Sequence, residues 1–256
     1  MSLRCCIVIP AYNEAPHLAT LVPAIFALAP LLPTHELFVL IVDDDSTDDT
    51  ASLIAALQAH HANLKTLTGK KRGLGIAYKR GFAYALERLR ADLIVQMDGD
   101  YQHDPAALPL LIQACRPGVA AVVGSRFAPG GSTPTFSARR RGMSIGGTWL
   151  IHHFAGLPHL HDYTSGFRCL SAPLLARCLE QCRLDHLATR GYAFQTSLIA
   201  ELLLTRQPVI ELPIVFGQRQ HGHSKLTLRD YLEFAANLRQ LRRRCRRRAA
   251  VAAAAS

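Results

Sequence analysis

The sequence predicts a doubly wound α/β sheet, and three features predict it. Strand-like and helix-like stretches alternate over the first 125 residues. The apolar strands run without polar interruption, as in Leu37–Val42, which is the pattern of parallel strands covered on both faces. Polar groups gather just past three strand ends, at Tyr12, Asp44 and Asp98. That is where ligands sit in such sheets, beyond the carboxyl ends of the strands.

Cys5–Pro10 reads as the first strand, ended by Pro10, and Ala11-Tyr12-Asn13-Glu14 as a loop. A helix over Glu14–Leu28 follows, with Leu18, Leu21, Val22 and Ile25 on one face. Leu37–Val42 is the second strand. It runs into Asp43-Asp44-Asp45-Ser46, where Ser46 and Asp49 form a capping box for a helix carrying Leu53, Ile54 and Leu57. Leu64–Leu67 is the third strand. The basic loop Gly69-Lys70-Lys71-Arg72-Gly73-Leu74-Gly75 opens a helix over Ile76–Leu89; such a loop attracts phosphate, and it equally fits a plain exposed turn. The fingerprint G-x-G-x-x-G is missing after the first strand, which disfavours a dinucleotide site.

Leu93–His103 is the stretch around which the rest is organised. It reads as a strand ending in Asp98-Gly99-Asp100. Period two would put both carboxylates on one side, and Gly99 would let a ligand lie close to the backbone. Paired carboxylates suit Mg²⁺ or Mn²⁺, which share their shell with substrate phosphates, and Gln102 adds a neutral oxygen. Taken alone, the same residues also make a polar turn. The helix Pro105–Cys115 and the strand Val119–Gly124 close this half.

Beyond Gly124 a Gly/Pro/Ser/Thr loop reaches Phe136, and Arg139-Arg140-Arg141 precedes Ser144 and a helix with Trp149 and Ile151. The triplet reads as a clamp for an acidic substrate or as a solvated face. Asp162–Arg168 is a polar loop entering a strand, a helix runs to Leu204, and Val209–Phe216 is a strand. Gln218–Lys225 is a basic loop able to close on a ligand. A last helix carries Leu228, Leu232, Ala235 and Leu238 on one stripe, fitting either a membrane surface or packing on the domain.

Composition bounds the rest. The 256 residues, 49% hydrophobic, support a real core, and no apolar run approaches the roughly 18 residues of a spanning helix. Cys5–Ala11 is too short for the apolar part of a secretory signal, so a cytoplasmic chain is expected. The seven cysteines lack zinc-site spacing and are read as reduced. Net charge is +10, and the seven arginines between Arg239 and Arg248 supply most of it; without them it would be +3. Such a tail suggests an anionic partner. Residues 239–256 are expected to be a disordered basic tail.

Ile9-Pro10-Ala11-Tyr12-Asn13-Glu14, Val42–Ser46, Gly73-Leu74-Gly75, Asp98–His103, Gly124-Ser125-Arg126-Phe127, Asp162–Arg168 and Arg219–Lys225 together resemble the family 2 glycosyltransferases of the GT-A fold. Within that family the chain is most similar to the dolichol-phosphate and polyprenyl-phosphate mannosyltransferases, over residues 5–238. The resemblance implies a GT-A catalytic unit over residues 1–238, with a nucleotide-sugar half (1–125) and an acceptor half (126–238). It implies that Pro10, Tyr12, Glu14, Val42 and Asp44 hold base and ribose, and that Asp98, Asp100 and Gln102 hold Mg²⁺ or Mn²⁺ and the diphosphate. Arg126, Arg140 and Ser144 match positions near the acceptor phosphate, and Arg219 and Lys225 a closing loop. The implied reaction moves mannose from GDP-mannose to a polyprenyl monophosphate, with inversion, at the cytoplasmic face of a membrane that a surface helix or a membrane-protein partner reaches. No nucleic-acid partner is implied. Asp45, where relatives often carry Asn or Gly, bears on base preference. Ser197, where the mannosyltransferases commonly carry Glu, bears on sugar or acceptor, and Glu201 is one turn away. Other readings are a UDP-sugar donor, a non-lipid acceptor, or an inactive domain binding anions through its arginine tail.

Overall fold

In the computed structural model, residues 2–182, 191–204, 207–218, 236 and 238–246 are described. They form a seven-stranded sheet of order β3-β2-β1-β4-β6-β5-β7. The strands are β1 (Leu3–Ala11), β2 (His35–Asp43), β3 (Leu64–Thr68), β4 (Leu93–Gln96), β5 (Ala121–Ser125), β6 (Arg168–Ser171) and β7 (Val209–Pro213). β1 pairs parallel with β2 and β4, β2 with β3, and β5 with β7. β6 alone runs antiparallel, inserted between β4 and β5.

The sheet is covered on both faces, which is why β1 and β2 are apolar at successive positions. Ile7, Ile9, Val39, Ile41 and Val95 pack with the inner stripe of α1 (Ala15–Phe26), Leu18, Leu21, Val22 and Ile25, and with α4 (Leu108–Ala114). Val8, Leu40, Val42 and Ile94 face α3 (Leu74–Glu87) and α7 (Gly191–Leu204). α3 comes close because of Gly81: a Cβ there would lie 2.4 Å from Val8 Cγ1 and 3.1 Å from Val42 Cγ2. α2 (Thr50–His60) buries little more than Ile54.

Four expectations change. Asp49 caps α2 without a side-chain bond, so there is no capping box; Ser46 Oγ instead donates to Asp43 Oδ1 at 2.5 Å. β4 stops at Gln96, before the acidic pair. α5 (Ala138–Ala155) begins right after Ser137, whose Oγ accepts from Arg140 N. The arginine triplet therefore lies inside the first turn of α5 rather than ahead of the helix. Residues 238–246, assigned mostly to a disordered tail, are helical and docked: Leu238 and Leu241 are buried, and Arg244 Nη1 lies 2.6 Å from Glu201 Oε1. Leu228, Leu232 and Ala235 fall outside the described residues. Cys5, Cys6, Cys115, Cys169, Cys178 and Cys245 are free thiols.

Gly81→Ala should destabilise the fold by about 1–3 kcal/mol, because Val8 cannot retreat from a packed strand. Urea unfolding of the two proteins measures it.

Candidate active site

The acidic turn follows β4. Gly99 is needed there, though for a different reason from the one its sequence suggests. A Cβ on it would meet Ile9 Cγ2 at 3.2 Å and the Pro10 carbonyl at 3.3 Å. The space is taken by β1, which pulls the turn against the strand; it is not open to a ligand. Asp98 is half-buried and accepts the Tyr78 hydroxyl on Oδ1 at 2.9 Å. Its backbone N–H points at His103 Nδ1, 3.4 Å away. Asp100 is nearly buried and accepts Gln102 N at 3.1 Å. Tyr101 has φ 61°, a left-handed backbone that only a sharp reversal requires. The two carboxylates are thus set by a turn rather than by strand alternation.

Gln102 donates its amide nitrogen to Gly217 O at 3.3 Å, which leaves the amide oxygen as the end able to ligate. Among the described residues no group of three His, Cys, Asp or Glu side chains can hold a metal alone. Two carboxylates and an amide oxygen fit a hard cation only if a ligand completes the shell, as a diphosphate does for Mg²⁺. The donor set therefore fits a metal shared with substrate.

Two further loops flank this turn. Those after β1 and β2 are stitched together: Ser46 Oγ accepts Asn13 N at 2.9 Å, and Asn13 Oδ1 accepts Thr47 N at 2.8 Å. Asn13 (φ 57°) and Asp45 (φ 65°) are left-handed. Asn and Gly suit that backbone, and Asp tolerates it, so the residue type at exposed Asp45 answers to its conformation. Lys71 Nζ lies 3.2 Å above the Tyr12 ring centre, and Arg80 Nη1 lies 3.1 Å from Asp44 Oδ1. Burial raises the Asp44 pKa, and Arg80 partly offsets it. Glu14 holds His17 Nδ1 at 2.7 Å. Val42 is fully buried against α3, and its side chain belongs to the core.

The arginine end adjoins. Arg126 Nε donates to Asp162 Oδ2 at 2.7 Å, and Nη2 to Asp162 Oδ1 at 2.8 Å and to Thr164 Oγ1 at 2.6 Å. Asp162 also accepts the N–H groups of Thr164 and Ser165. Burial alone would raise its pKa; Arg126 and these donors outweigh burial and hold it below the ordinary carboxylate range. Glu211 of β7 fixes the same loop by accepting His161 N and Asp162 N. The Arg140 guanidinium lies 3.9 Å from the Phe136 ring centre, and that of Arg126 5.9 Å from the same ring. Ser144 is one turn beyond Arg140 on the same side of α5.

An aromatic wall joins the two ends. His103 stacks on Phe167 (4.9 Å) and meets Phe216 edge-on (5.2 Å); Phe216 meets Phe136 (5.6 Å) and Arg126 (5.3 Å). Burial, and after it Arg126, lowers the His103 pKa although Asp98 and Asp100 pull the other way.

The structure therefore gathers Pro10, Tyr12, Asp44, Asp98, Asp100, Gln102, Arg126, Arg140 and Ser144 along one end of the sheet. Arg219 and Lys225 lie outside the described residues. Glu201 is taken by Arg244. Residue-type reasoning missed Tyr78, Arg80 and His103. The available signal for Tyr78 was its place on the buried stripe of α3, where a phenol needs a hydrogen-bond partner.

A sequence model described as glycosyl transferase family 2 matches residues 6–179. An undecaprenyl-phosphate mannosyltransferase of Micrococcus luteus is 34% identical over 226 residues, covering 88% of this chain and 88% of that protein. A polyprenol monophosphomannose synthase of Mycolicibacterium smegmatis is 31% identical, covering 88% of this chain and 81% of that protein. Among solved structures, a mannosyl-3-phosphoglycerate synthase from Rubrobacter xylanophilus superposes with TM-score 0.59 at 19% identity, over 96% of this chain and 74% of that one. A mannosyltransferase from Pyrobaculum calidifontis, solved with GDP-Man and Mn²⁺, gives 0.56 at 17% identity, over 100% and 76%. At these identities the two structures speak for the fold alone.

Asp162→Asn should cost about 3–5 kcal/mol at pH 7, since it takes the carboxylate charge away from the buried Arg126 guanidinium. A carboxylate whose pKa is lowered on folding stabilises above its unfolded value, near 3.8, and loses that contribution as pH falls through the folded value. The gap between wild type and variant, followed by urea unfolding, should therefore narrow below about pH 3.8.

Proposed function

From a chain that belongs to glycosyl transferase family 2 and carries the GT-A fold, we propose the transfer of mannose from GDP-mannose to the phosphate of a polyprenyl monophosphate. One observation carries this reading. The acidic turn and the arginines Arg126 and Arg140 meet on a single aromatic wall, an arrangement that would seat a diphosphate and a second phosphate side by side. The names of the curated relatives support both the sugar and the lipid acceptor.

The roles follow from the chemistry of each end. Tyr12, Lys71, Asp44 and Arg80 form the base and ribose end; a carboxylate there accepts from a base that donates, as guanine does through N1–H and N2–H. Asp98, Asp100 and Gln102 would hold Mg²⁺ or Mn²⁺, which supplies neutralisation of charge on the leaving diphosphate. Arg140, with Arg126 behind it on Phe136, orients the acceptor phosphate. That phosphate, with a second pKa of about 6, is already largely dianionic and attacks the anomeric carbon without a general base. The new C1–O bond forms as the bond to the diphosphate breaks on the opposite side, which inverts the anomeric centre.

A lipid acceptor requires contact with a bilayer. Among the described residues no helix is long and apolar enough to cross a membrane. α5 instead turns Arg140, Ser144, Thr148, Ile151 and Ala155 inward and leaves Met143, Ile145, Trp149, Leu150 and Phe154 exposed on the far side. An exposed apolar face with Trp at its middle and arginines at its end suits an interfacial helix. We assign membrane contact to α5 rather than to 238–246, whose leucines are used in packing.

Radiolabelled mannose from GDP-mannose should appear in polyprenyl phosphate only with Mn²⁺ or Mg²⁺ present, and Asp100→Asn should abolish it with unfolding unchanged. Labelling from UDP-sugars alone would replace the donor, and metal-independent labelling would overturn the metal assignment. Trp149→Ser should reduce sedimentation with anionic phosphatidylglycerol vesicles without changing the fold; undiminished binding would remove α5 from the membrane.

A further inference from the structure

Asp98 is bounded on three sides by parts of the chain far apart in sequence. From α3, the Tyr78 hydroxyl reaches Oδ1 at 2.9 Å. From the loop before β6, Gly166 closes in: a Cβ there would lie 3.0 Å from Asp98 Oδ2 and 3.2 Å from Gln195 Nε2. From its own turn, His103 faces the Asp98 amide. Tyr78 has no exposed surface, and its ring is clamped, stacked on Phe194 at 5.8 Å and tilted against Phe82 at 5.7 Å. The hydroxyl cannot swing away from the carboxylate.

We propose that Tyr78 is a positioning residue, its hydroxyl holding Asp98 in the rotamer that receives the divalent cation, with Gly166 keeping the opposite side clear. This rests on the reading of Asp98 as a metal ligand. Packing alone does not account for the arrangement, since phenylalanine would fill the same space between Phe82 and Phe194. What the hydroxyl adds is a fixed donor on one oxygen of a half-buried carboxylate. Outer partners of this kind orient ligands before the metal arrives, and their loss typically weakens metal affinity about tenfold to a hundredfold. Gly166 supplies an independent handle on the same carboxylate from its other oxygen, because an added methyl must push Oδ2 by a few tenths of an ångström.

The experiment uses the full chain and Mn²⁺ itself, followed by electron paramagnetic resonance in the presence of GDP, with urea unfolding recorded without metal. Tyr78→Phe is expected to raise the Mn²⁺ dissociation constant about tenfold or more, leaving the unfolding midpoint and the acceptor KM close to wild type. Gly166→Ala should reproduce the weakened Mn²⁺ binding. Wild-type Mn²⁺ binding by Tyr78→Phe overturns the proposal. So does weakened binding that tracks a loss of stability while Gly166→Ala binds normally. Asp98→Asn separates the two levels: if it binds Mn²⁺ like wild type, the metal reading fails and this proposal with it, whereas if it loses Mn²⁺ and Tyr78→Phe does not, only the positioning role fails.

Discussion

A buried guanidinium is the constraint around which this molecule is arranged. Arg168 lies in β6, an interior strand, with no exposed surface. Isolated charge in such a place is costly, and the group survives only if neighbours surround it. Burial lowers its pKa to about 10, so it stays ionised at neutral pH. Nη1 donates to Gln195 O and Nη2 to Tyr163 O, while Nε finds no partner among the described residues. The carboxylates of Asp162, in the loop entering β6, and of Asp98, past the end of β4, both favour its charge. One cation thus balances the acidic turn and the arginine end together. That explains why α7, the 162–165 loop and the end of β4 converge on a four-residue strand.

How much of this is legible in sequence depends on what each residue does. The first two strands and α1 were readable because their apolar pattern is dictated by two covered faces. The acidic turn was readable as two carboxylates past a strand end, but not in its geometry, since period two cannot show that β4 stops at Gln96. That Gly99 and Val42 also pack within the sheet was not legible, because a glycine or a valine carries no sign of which neighbour approaches it. The arginine triplet was legible as charge, while its place inside α5 turned on Ser137, a cap hidden among other small polar residues. Tyr78, Arg80 and His103 needed the fold, because the carboxylate partners of the first two are 20 residues or more away and His103 is defined by a ring stack.

The basic C-terminal run shows how charge can mislead. Its arginines dominate the net charge and suggested an anion-seeking tail. Within 238–246 two of them are engaged by the protein itself: Arg244 with the nearly buried Glu201, and Arg242 over the Phe154 ring at 4.3 Å. Part of the run thus places positive charge on a buried carboxylate of the domain. The outward apolar face of α5 lies alongside this contact through Phe154.

The antiparallel insertion of β6 has a consequence for how the molecule comes into being. β1 to β4 can assemble from neighbouring segments as the chain leaves the ribosome. β4 then waits for its second partner, which lies about seventy residues further on, a delay on the order of several seconds during synthesis. Throughout that interval the apolar edge Leu93–Gln96 is open to foreign strands, and Asp98 lacks Gly166 and the countercharge of Arg168. The nascent N-terminal half therefore carries an open strand edge and an acidic turn without its later neighbours. The surroundings of Asp98 are therefore completed only when β6 and the loop before it have been made.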